Sequence, residues 1–282
     1  MTPSPTSIDR VVLPTDSTIP ATRSAEYDTY FRISRSDDAH AWSVSALTVV
    51  TAITADLPRS TLNNDSRLRL LDALAVVVGD AAAAAAAVAA QERVSAPTAA
   101  PTDHLSTGQD DRTPQAPNGA ARQAITRWKK GHHLFHLFVI SMNSRLSAVL
   151  DSLATEQWSD LADQLTELGV LYAGATESMR YASDFSPEIY RDFVRPSMEP
   201  PWLEPGFSAV FNRDHDIMLT GVKVVRTALK SAELSGVAAD SARKLWKSQA
   251  ENRRAHQLIC QRFVPGGDSL LQEHFDSTGQ TN

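Results

Sequence analysis

The sequence predicts an all-α protein. Apolar side chains recur at helical spacing through most of its 282 residues, and no β-type alternation extends beyond a few residues. The prolines lie between the periodic segments rather than within them, where they can mark the ends of helices. There is no internal repeat. We therefore expect a bundle of helices.

The N-terminal part contains a polar segment followed by two predicted helices. Residues 1–22 are rich in Thr, Ser, Pro and Asp, so we predict a disordered N-terminus. The first long helix is predicted over His40–Leu57, because a proline follows it. Asn64 or Asp65 can cap the next helix, which should reach about Arg93.

The second of these helices contains Leu70–Ala90, which is long enough to span a membrane. Asp72 and Asp80 lie inside it, and each would be costly in hydrocarbon, whereas alanine drives insertion only weakly. We therefore predict a buried or partly buried helix and no membrane span. The alanine run is expected to be a tight helix-packing face.

Residues 94–121 interrupt the helical pattern. They contain four prolines among Ser, Thr, Gly, Asp and Gln, and no core could form from them. We predict a disordered, flexible, proline-rich insertion. Residues 23–265 are expected to form one helical domain around it, with residues 266–282 as a C-terminal tail.

Helical spacing returns in the C-terminal half. The segment Arg122–Leu153 carries large apolar residues on more than one face, which is typical of a central, buried helix. Further helices are predicted over Trp158–Ala182, Phe207–Leu234 and Ala238–Val264.

A short helix and a stiff loop are predicted between these long helices. Ser186 followed by Pro187 is a typical helix start, with serine as the N-cap and proline at the first helical position. We predict that this helix ends at Pro196, because four prolines between positions 196 and 206 oppose regular structure.

Composition excludes several classes of function. The net charge of −6 argues against nucleic-acid binding, which needs a basic field, and disfavours anionic membranes. Cys260 is the single cysteine, so no intramolecular disulfide can form. Because residues 1–20 also lack the basic start and apolar stretch of a secretory signal, we expect a cytoplasmic protein.

Common catalytic and metal-binding motifs are absent from the sequence. It has no dinucleotide fingerprint, phosphate-binding loop, HExxH, CxxC or GxSxG motif. One cysteine cannot build most zinc cages, and the helices carry no Glu-x-x-His pair of a di-iron bundle.

His215 is the strongest candidate for a metal ligand. Asp214 and Asp216 flank it, and a carboxylate near its far ring nitrogen would fix the tautomer. One nitrogen ligand and apolar walls are what a large flat cofactor such as heme requires. The apolar residues near it are Phe207, Val210, Phe211, Ile217, Met218 and Leu219.

A second candidate is the HxxxC pair of His256 and Cys260. Residues at i and i+4 share one helix face, with Cβ atoms roughly 5–6 Å apart. That span suits an imidazole over the iron and a thiol that forms a thioether at the porphyrin edge. The usual CxxCH attachment motif is absent. Alternatively, His256 lies on a solvated face and Cys260 is an ordinary buried residue.

His215 followed by His256 and Cys260 resembles the heme-dependent L-tyrosine hydroxylases of antibiotic biosynthesis. These belong to the histidine-ligated heme-dependent aromatic oxygenases, a helical superfamily that includes tryptophan 2,3-dioxygenase. The resemblance covers roughly Arg122–Val264. It implies a helical bundle enclosing a heme pocket, with His215 as the iron ligand, His256 as a second axial or distal group, and heme attached through Cys260.

The resemblance also implies the reaction. It is hydroxylation of L-tyrosine, or of a ring-substituted tyrosine, ortho to the phenol hydroxyl, giving a catechol such as L-DOPA in natural-product biosynthesis. The expected partners are a small aromatic amino acid and hydrogen peroxide or dioxygen. A homodimer is left open.

Other residues are candidates for supporting roles. Among three histidines that open the central helix, His133 and His136 could supply a distal acid or base, the alternative for each being a core or helix-start role. Two arginines and three small polar residues could bind the substrate, the alternative being ordinary surface or capping positions. Arg191 and Arg195 suit a carboxylate or heme propionates, and Asn143, Ser208 and Asn212 suit the amino group or the phenol.

Two other functions remain open from the sequence. A related heme enzyme could instead cleave an indole ring with dioxygen, as tryptophan dioxygenases do, and the product would distinguish the two. A cofactor-free helical scaffold is the alternative of another class, and a visible spectrum would separate it from a heme protein.

Overall fold

The computed structural model describes residues 13, 15–33, 35, 38–94, 119–264 and 270. Within these residues it contains α-helices with short 3₁₀ and π segments and no β-strand, so the all-α prediction is confirmed. The α-helices are α1 (Ala21–Phe31), α2 (Ala39–Asp56), α3 (Asn64–Val94), α4 (Gly119–Ala154), α5 (Trp158–Ala182), α6 (Pro187–Ile189), α7 (Arg213–Ser231) and α8 (Gly236–Phe263).

The long helices lie close to their predicted positions. α5 has the predicted bounds, and α3 extends one residue beyond Arg93. The cap of α3 is Asn63, one residue before the predicted one, because its side-chain oxygen accepts a hydrogen bond from the backbone N–H of Ser66 at 2.8 Å.

The segment after α6 differs from the prediction. Pro196 does not end the helix, since a π turn over Tyr190–Val194 continues into a 3₁₀ turn over Arg195–Met198. Proline is tolerated there because it lies in the first turn of the new segment, where its missing N–H has no partner to lose. The next long helix begins at Arg213 rather than at Phe207.

α4 and α5 form the centre of the bundle. A three-residue turn joins them, and α5 also packs along α8 and α3. α2 packs against α3, and α7 against α4. Each large apolar side chain buried between these helices contributes about 1.5–3 kcal/mol to stability. This large core includes Leu70, Leu137, Phe138, Leu146, Leu165, Leu168, Val225 and Leu245.

A smaller group of aromatic residues forms a second core, which we call the α1 aromatic cluster. Tyr27, Tyr30 and Phe31 on α1 meet Phe207, with ring centroids 4.6 to 6.5 Å apart. The Tyr30 hydroxyl lies 2.7 Å from the Ser197 hydroxyl, within the 3₁₀ turn. The cluster therefore fixes α1 against the segment that leads to α7.

The chain before α1 also contacts α7. The Ser17 hydroxyl and the Thr18 backbone N–H donate hydrogen bonds to the Asp216 carboxylate at 2.9 and 2.8 Å. We expected a disordered N-terminus that extends to residue 22. In the structure residues 17 and 18 are instead bound to α7, because the start of that helix offers them a carboxylate acceptor.

Three predicted segments fall wholly or largely outside the described residues. These are the first part of the 1–22 segment, most of the 94–121 insertion, and the 266–282 tail apart from Leu270. What the sequence predicts for these three segments therefore stays a prediction.

Three stretches, 39–59, 64–90 and 119–154, are long and apolar enough to cross a membrane by length and composition. In the structure each of them places an inner face in the large core, through residues such as Ile53, Leu74 and Phe138. Leu70–Ala90 is partly buried, since Leu71 and Val78 are exposed on its outer face. That no helix spans a membrane stays a prediction.

Gly174→Ala is expected to destabilise the protein by about 1–3 kcal/mol, the usual cost of overpacking a core. A Cβ at Gly174 on α5 would overlap the Cβ of Ala73 on α3 and lie 3.2 Å from the Phe138 ring. This cost exceeds the ~1 kcal/mol that alanine gains over glycine in a helix.

Gly169→Ala is the matched control in the same helix, since a Cβ there lies 3.7 Å from the Leu245 Cα, an ordinary contact. It should leave stability unchanged or slightly higher. Chemical unfolding measures both variants, and equal losses of stability would contradict the packing described.

Candidate functional site

Histidines from three helices approach one another where the two cores meet. His132 and His136 lie on α4, His215 lies in the first turn of α7, and His256 lies near the end of α8. His256 is close enough to both His132 and His215 for its charge to lower the pKa of each. The fold thus brings together positions that are far apart in the sequence.

His132 is held between aromatic rings. Its ring stacks on Phe31 with centroids 4.3 Å apart and an interplanar angle of 10°, and the Trp128 ring lies 4.2 Å away. Its Nδ1 lies 2.8 Å from the Trp128 backbone carbonyl, so the neutral ring donates from Nδ1 and keeps a lone pair on Nε2. Burial lowers the pKa of His132 to about 4.

His215 is oriented by the cap of its helix. The Asn212 side-chain oxygen accepts hydrogen bonds from the backbone N–H groups of Asp214 and His215 at 3.0 and 3.3 Å. The Phe135 ring lies 5.3 Å from the imidazole. Burial lowers the pKa of His215 to about 4, so the ring is neutral at neutral pH, which is the form that binds a metal.

The sequence suggested that the Asp214 carboxylate could lie near the His215 ring. In the structure it is directed toward other residues. The carboxylate forms an ion pair with Arg35, which also binds Asp28, and it lies 3.6 Å from Nδ1 of His136. Adjacent residues on a helix point in directions about 100° apart, so a flanking position does not bring a carboxylate to the neighbouring ring. Asp216 accepts the hydrogen bonds of Ser17 and Thr18, and its charge opposes in part the lowering of the His215 pKa by burial.

His136 is the buried member of the predicted acid–base pair. Its side chain is 7% exposed, and burial lowers its pKa to about 4 against the opposing effect of Asp214. Nδ1 has no hydrogen-bond partner among the described residues, and the Asp214 carboxylate is 3.6 Å from it. His133 is half-buried, and burial lowers its pKa as well.

His256 and Cys260 lie on one face of α8, as the HxxxC spacing predicts. The Cys260 Sγ lies 3.7 Å from the His256 Nε2. Both side chains are exposed, in contrast to the buried cysteine of the alternative interpretation. An accessible thiol next to an imidazole is available to a ligand.

The two predicted arginines have different environments. Arg191 is 67% exposed and pairs with its neighbour Asp192, so the structure does not bring it to the histidines. Arg195 is 18% exposed and pairs with Glu199 at 3.2 Å.

The three small polar candidates serve the start of α7 or lie beside it. The Asn143 side-chain nitrogen donates to the Asp214 backbone carbonyl at 3.0 Å, while its buried oxygen has no partner among the described residues. Ser208 caps a 3₁₀ turn, and Asn212 is fully buried as the cap of α7. Asn212 is thus a positioning residue for His215.

The donor set fits a heme better than a cage of protein ligands. Among the described residues, no group of three or more His, Cys, Asp or Glu side chains could hold a metal ion. A heme iron needs only one or two protein ligands because the porphyrin supplies the others. These requirements are met by the neutral His215, by the rings of Phe31, Phe135 and Trp128, and by the accessible Cys260.

Comparison with known proteins gives consistent results. A family model described as SfmD 3-methyl-L-tyrosine peroxygenase matches residues 2–244, a range that includes His132, His136 and His215 and ends before His256. A 3-methyl-L-tyrosine peroxygenase from Streptomyces lavendulae is 25% identical over 143 residues, which cover 51% of this chain and 39% of the relative. The matched part thus spans about two-fifths of that relative's length.

A solved structure shares the fold. It is described as the crystal structure of reduced SfmD, prepared by soaking with sodium hydrosulfite, and it matches with a TM-score of 0.57 and 20% identity. The match covers 88% of this chain and 79% of that one. Since the family model matches well over half of the sequence, the chain belongs to the SfmD 3-methyl-L-tyrosine peroxygenase family.

Proposed function

We propose that the protein is a heme-dependent enzyme that hydroxylates L-tyrosine, or a ring-substituted tyrosine such as 3-methyl-L-tyrosine, ortho to the phenol hydroxyl. The observation that carries the proposal is the neutral His215 imidazole, which lies beside the Phe135 ring and near His256, itself close to His132. Family membership and the peroxygenase name of the relative support the same reaction class.

His215 would hold the heme iron, and His256 would act as a second ligand or as an acid–base group. When bound, the heme supplies the activation of hydrogen peroxide, which protein side chains alone cannot achieve. Phe31 and Trp128 provide apolar surface beside His132, and Phe135 provides it beside His215. Asn212 holds the first turn of α7, which carries the His215 imidazole.

His136 is the better placed of the two proposed acid–base residues. The Asp214 carboxylate lies 3.6 Å from Nδ1 and favours a proton at that atom, which would leave the Nε2 lone pair available as a base. Arg35 in turn holds Asp214 in position. The lowered pKa keeps His136 in the basic form at neutral pH, as a residue that accepts a proton from peroxide requires.

The substrate carboxylate needs a cationic partner. Arg195 is the proposed one, because its guanidinium is largely buried and faces Glu199 rather than bulk solvent. Asn143 is proposed to contact the substrate through its buried, unpaired side-chain oxygen, which can accept a hydrogen bond from an ammonium group. Arg191 is too exposed for this role.

The holo-protein is expected to add one oxygen atom to L-tyrosine or 3-methyl-L-tyrosine when it is supplied with peroxide. Mass spectrometry should show a gain of one oxygen with the ring intact, and the product should be a catechol. L-Phenylalanine is the matched control substrate, since it lacks the phenol oxygen that directs the reaction. Ring-opened L-tryptophan would instead favour the indole dioxygenase, and no turnover of any of these substrates would remove the hydroxylase proposal.

Cys260 is proposed to hold the heme through a thioether. The exposed thiol lies one helical turn after His256, and thiol addition to a vinyl group moves the S–H hydrogen to the vinyl carbon without an external oxidant. Acid–acetone extraction should therefore leave heme on the wild-type chain and release it from Cys260→Ser. Complete extraction from the wild-type protein would show that the heme is held by coordination alone.

A further inference from the structure

The outer face of α3 carries an exposed apolar stripe. Its members recur at intervals of three and four positions, the spacing of a helix that packs along one seam against another helix. The stripe consists of Leu68, Leu71, Ala75, Val78, Ala82 and Ala86. The residues that α3 places in the large core, such as Leu70, Leu74 and Val77, lie on its other side.

α2 continues this surface with exposed Val44 and Leu47. Thr48, Thr51 and Thr54 lie beside them, and each hydroxyl donates a hydrogen bond to the backbone carbonyl four residues earlier, at 2.8 to 2.9 Å. Because these hydroxyls are satisfied within the helix, they do not need water, and the methyl groups contribute apolar surface. The α2–α3 face, meaning the α3 stripe together with residues 44–54 of α2, is therefore more apolar than its sequence suggests.

Three charged side chains of the two helices pair with residues of α4 or α5. Arg69 donates to Glu177 on α5 at 2.9 Å, Asp80 pairs with Arg145 on α4, and Arg127 of α4 donates to Asp56 at 2.9 Å. Neither α2 nor α3 contains a lysine. These ion pairs stabilise the fold and direct three charges toward the bundle, while Asp65 and Asp72 of α3 are exposed.

Gly79 lies in the middle of the stripe. A Cβ at this position would meet nothing within 4 Å, so the packing of one chain does not require glycine there. Glycine inside a helix costs about 1 kcal/mol relative to alanine. Close approach of a second helix backbone would account for that cost.

We propose that the α2–α3 face binds the same face of a second copy of the chain. Two helical hairpins would then form a four-helix bundle about a two-fold axis. Five large side chains on the face are 38 to 59% exposed. With the alanines and threonine methyls they supply an area on the order of the ~800 Å² that each partner buries in a stable interface.

A membrane surface is a poorer match for the same face. Helices that lie on anionic membranes carry lysine or arginine along their polar edge. Here the exposed charges next to the stripe include Asp65 and Asp72, and the whole chain has a net charge of −6. The 3–4 spacing also matches a partner helix, whose side chains insert between those of the stripe.

Sedimentation velocity of the full chain tests the proposal. At about 10 μM the wild type should sediment with twice the 30.7 kDa mass of one chain. The double variant Leu47→Glu/Val78→Glu should weaken dimerisation at least ~100-fold, because it would bury four unpaired carboxylates in one dimer. Its helical circular dichroism should be unchanged, since both positions are exposed in one chain.

Val237→Glu is the matched control, since Val237 is 72% exposed on α8, outside the face. It should remain dimeric. A monomeric wild type, or a dimer unaffected by the double variant, would overturn the proposal. So would a monomer that floats with phosphatidylcholine–phosphatidylglycerol vesicles and loses that binding in the double variant. The outcome is independent of the proposed function, because no heme or substrate enters the experiment.

Discussion

Replacing His215 with alanine should remove the iron ligand and, with it, most of the heme that is not covalently bound. The prediction rests on a neutral imidazole placed by the α7 cap and bordered by the Phe135 ring. In a Cys260→Ser background the loss should be at least tenfold in heme per chain, measured by pyridine hemochrome absorbance. In the native Cys260 background the heme should stay attached but show an altered visible spectrum.

Two further measurements make the test specific. His40→Ala changes an exposed histidine at the start of α2 and should leave heme content and spectrum as in the wild type. Circular dichroism should confirm that His215→Ala is still helical. A Cys260→Ser/His215→Ala protein with full heme content and an unchanged spectrum would show that His215 is not the ligand.

Acid is expected to destabilise the heme-free protein strongly between pH 6.5 and pH 4. Burial lowers the pKa of His132, His136 and His215 from 6.5 to about 4. Below pH 6.5 the unfolded chain binds these protons and the folded chain does not, so the free energy of unfolding falls until about pH 4 and then levels off. Each histidine contributes a loss of up to about 3 kcal/mol. Three such losses approach the whole stability of a typical domain, about 5–15 kcal/mol.

Urea unfolding at a series of pH values measures this effect. With three protons taken up on unfolding, the free energy of unfolding should change by up to ~4 kcal/mol per pH unit near pH 5. His132→Phe keeps an aromatic ring against Phe31 and should reduce that slope by about one third. His40→Asn, at an exposed position, should leave the slope unchanged. A free energy that stays constant from pH 7 to pH 4.5 would contradict the burial of these histidines.

The helices were predictable because apolar periodicity reports directly which face of a segment is buried. α5 shows this, since the structure has the predicted bounds Trp158–Ala182. The prediction that a helix ends at Pro196 was wrong because proline excludes only the interior of an α-helix. Here the backbone changes from π to 3₁₀ geometry at that point, and proline occupies the first turn of the new segment.

The candidate site was predictable only in part. His215, His256 and Cys260 could be selected because their neighbours along the chain have a distinctive composition. The partners of Asp214 could not be predicted, since Arg35 lies 179 positions away and such a pairing leaves no local pattern in the sequence. The surroundings of His132 could not be predicted for the same reason, because the Phe31 ring that stacks on it comes from α1.

The contact of the N-terminal segment with α7 bears on how the protein is made. The Ser17 hydroxyl and the Asp216 carboxylate are 199 positions apart, and His256 follows 40 residues later. A ribosome therefore releases Ser17 and α1 long before the helices against which they fold have been synthesised. Since contacts of such sequence separation form slowly, we expect the histidines to come together only after translation is nearly complete. Cofactor insertion is then a post-translational event, and expression yield should depend on the heme supply available to the finished chain.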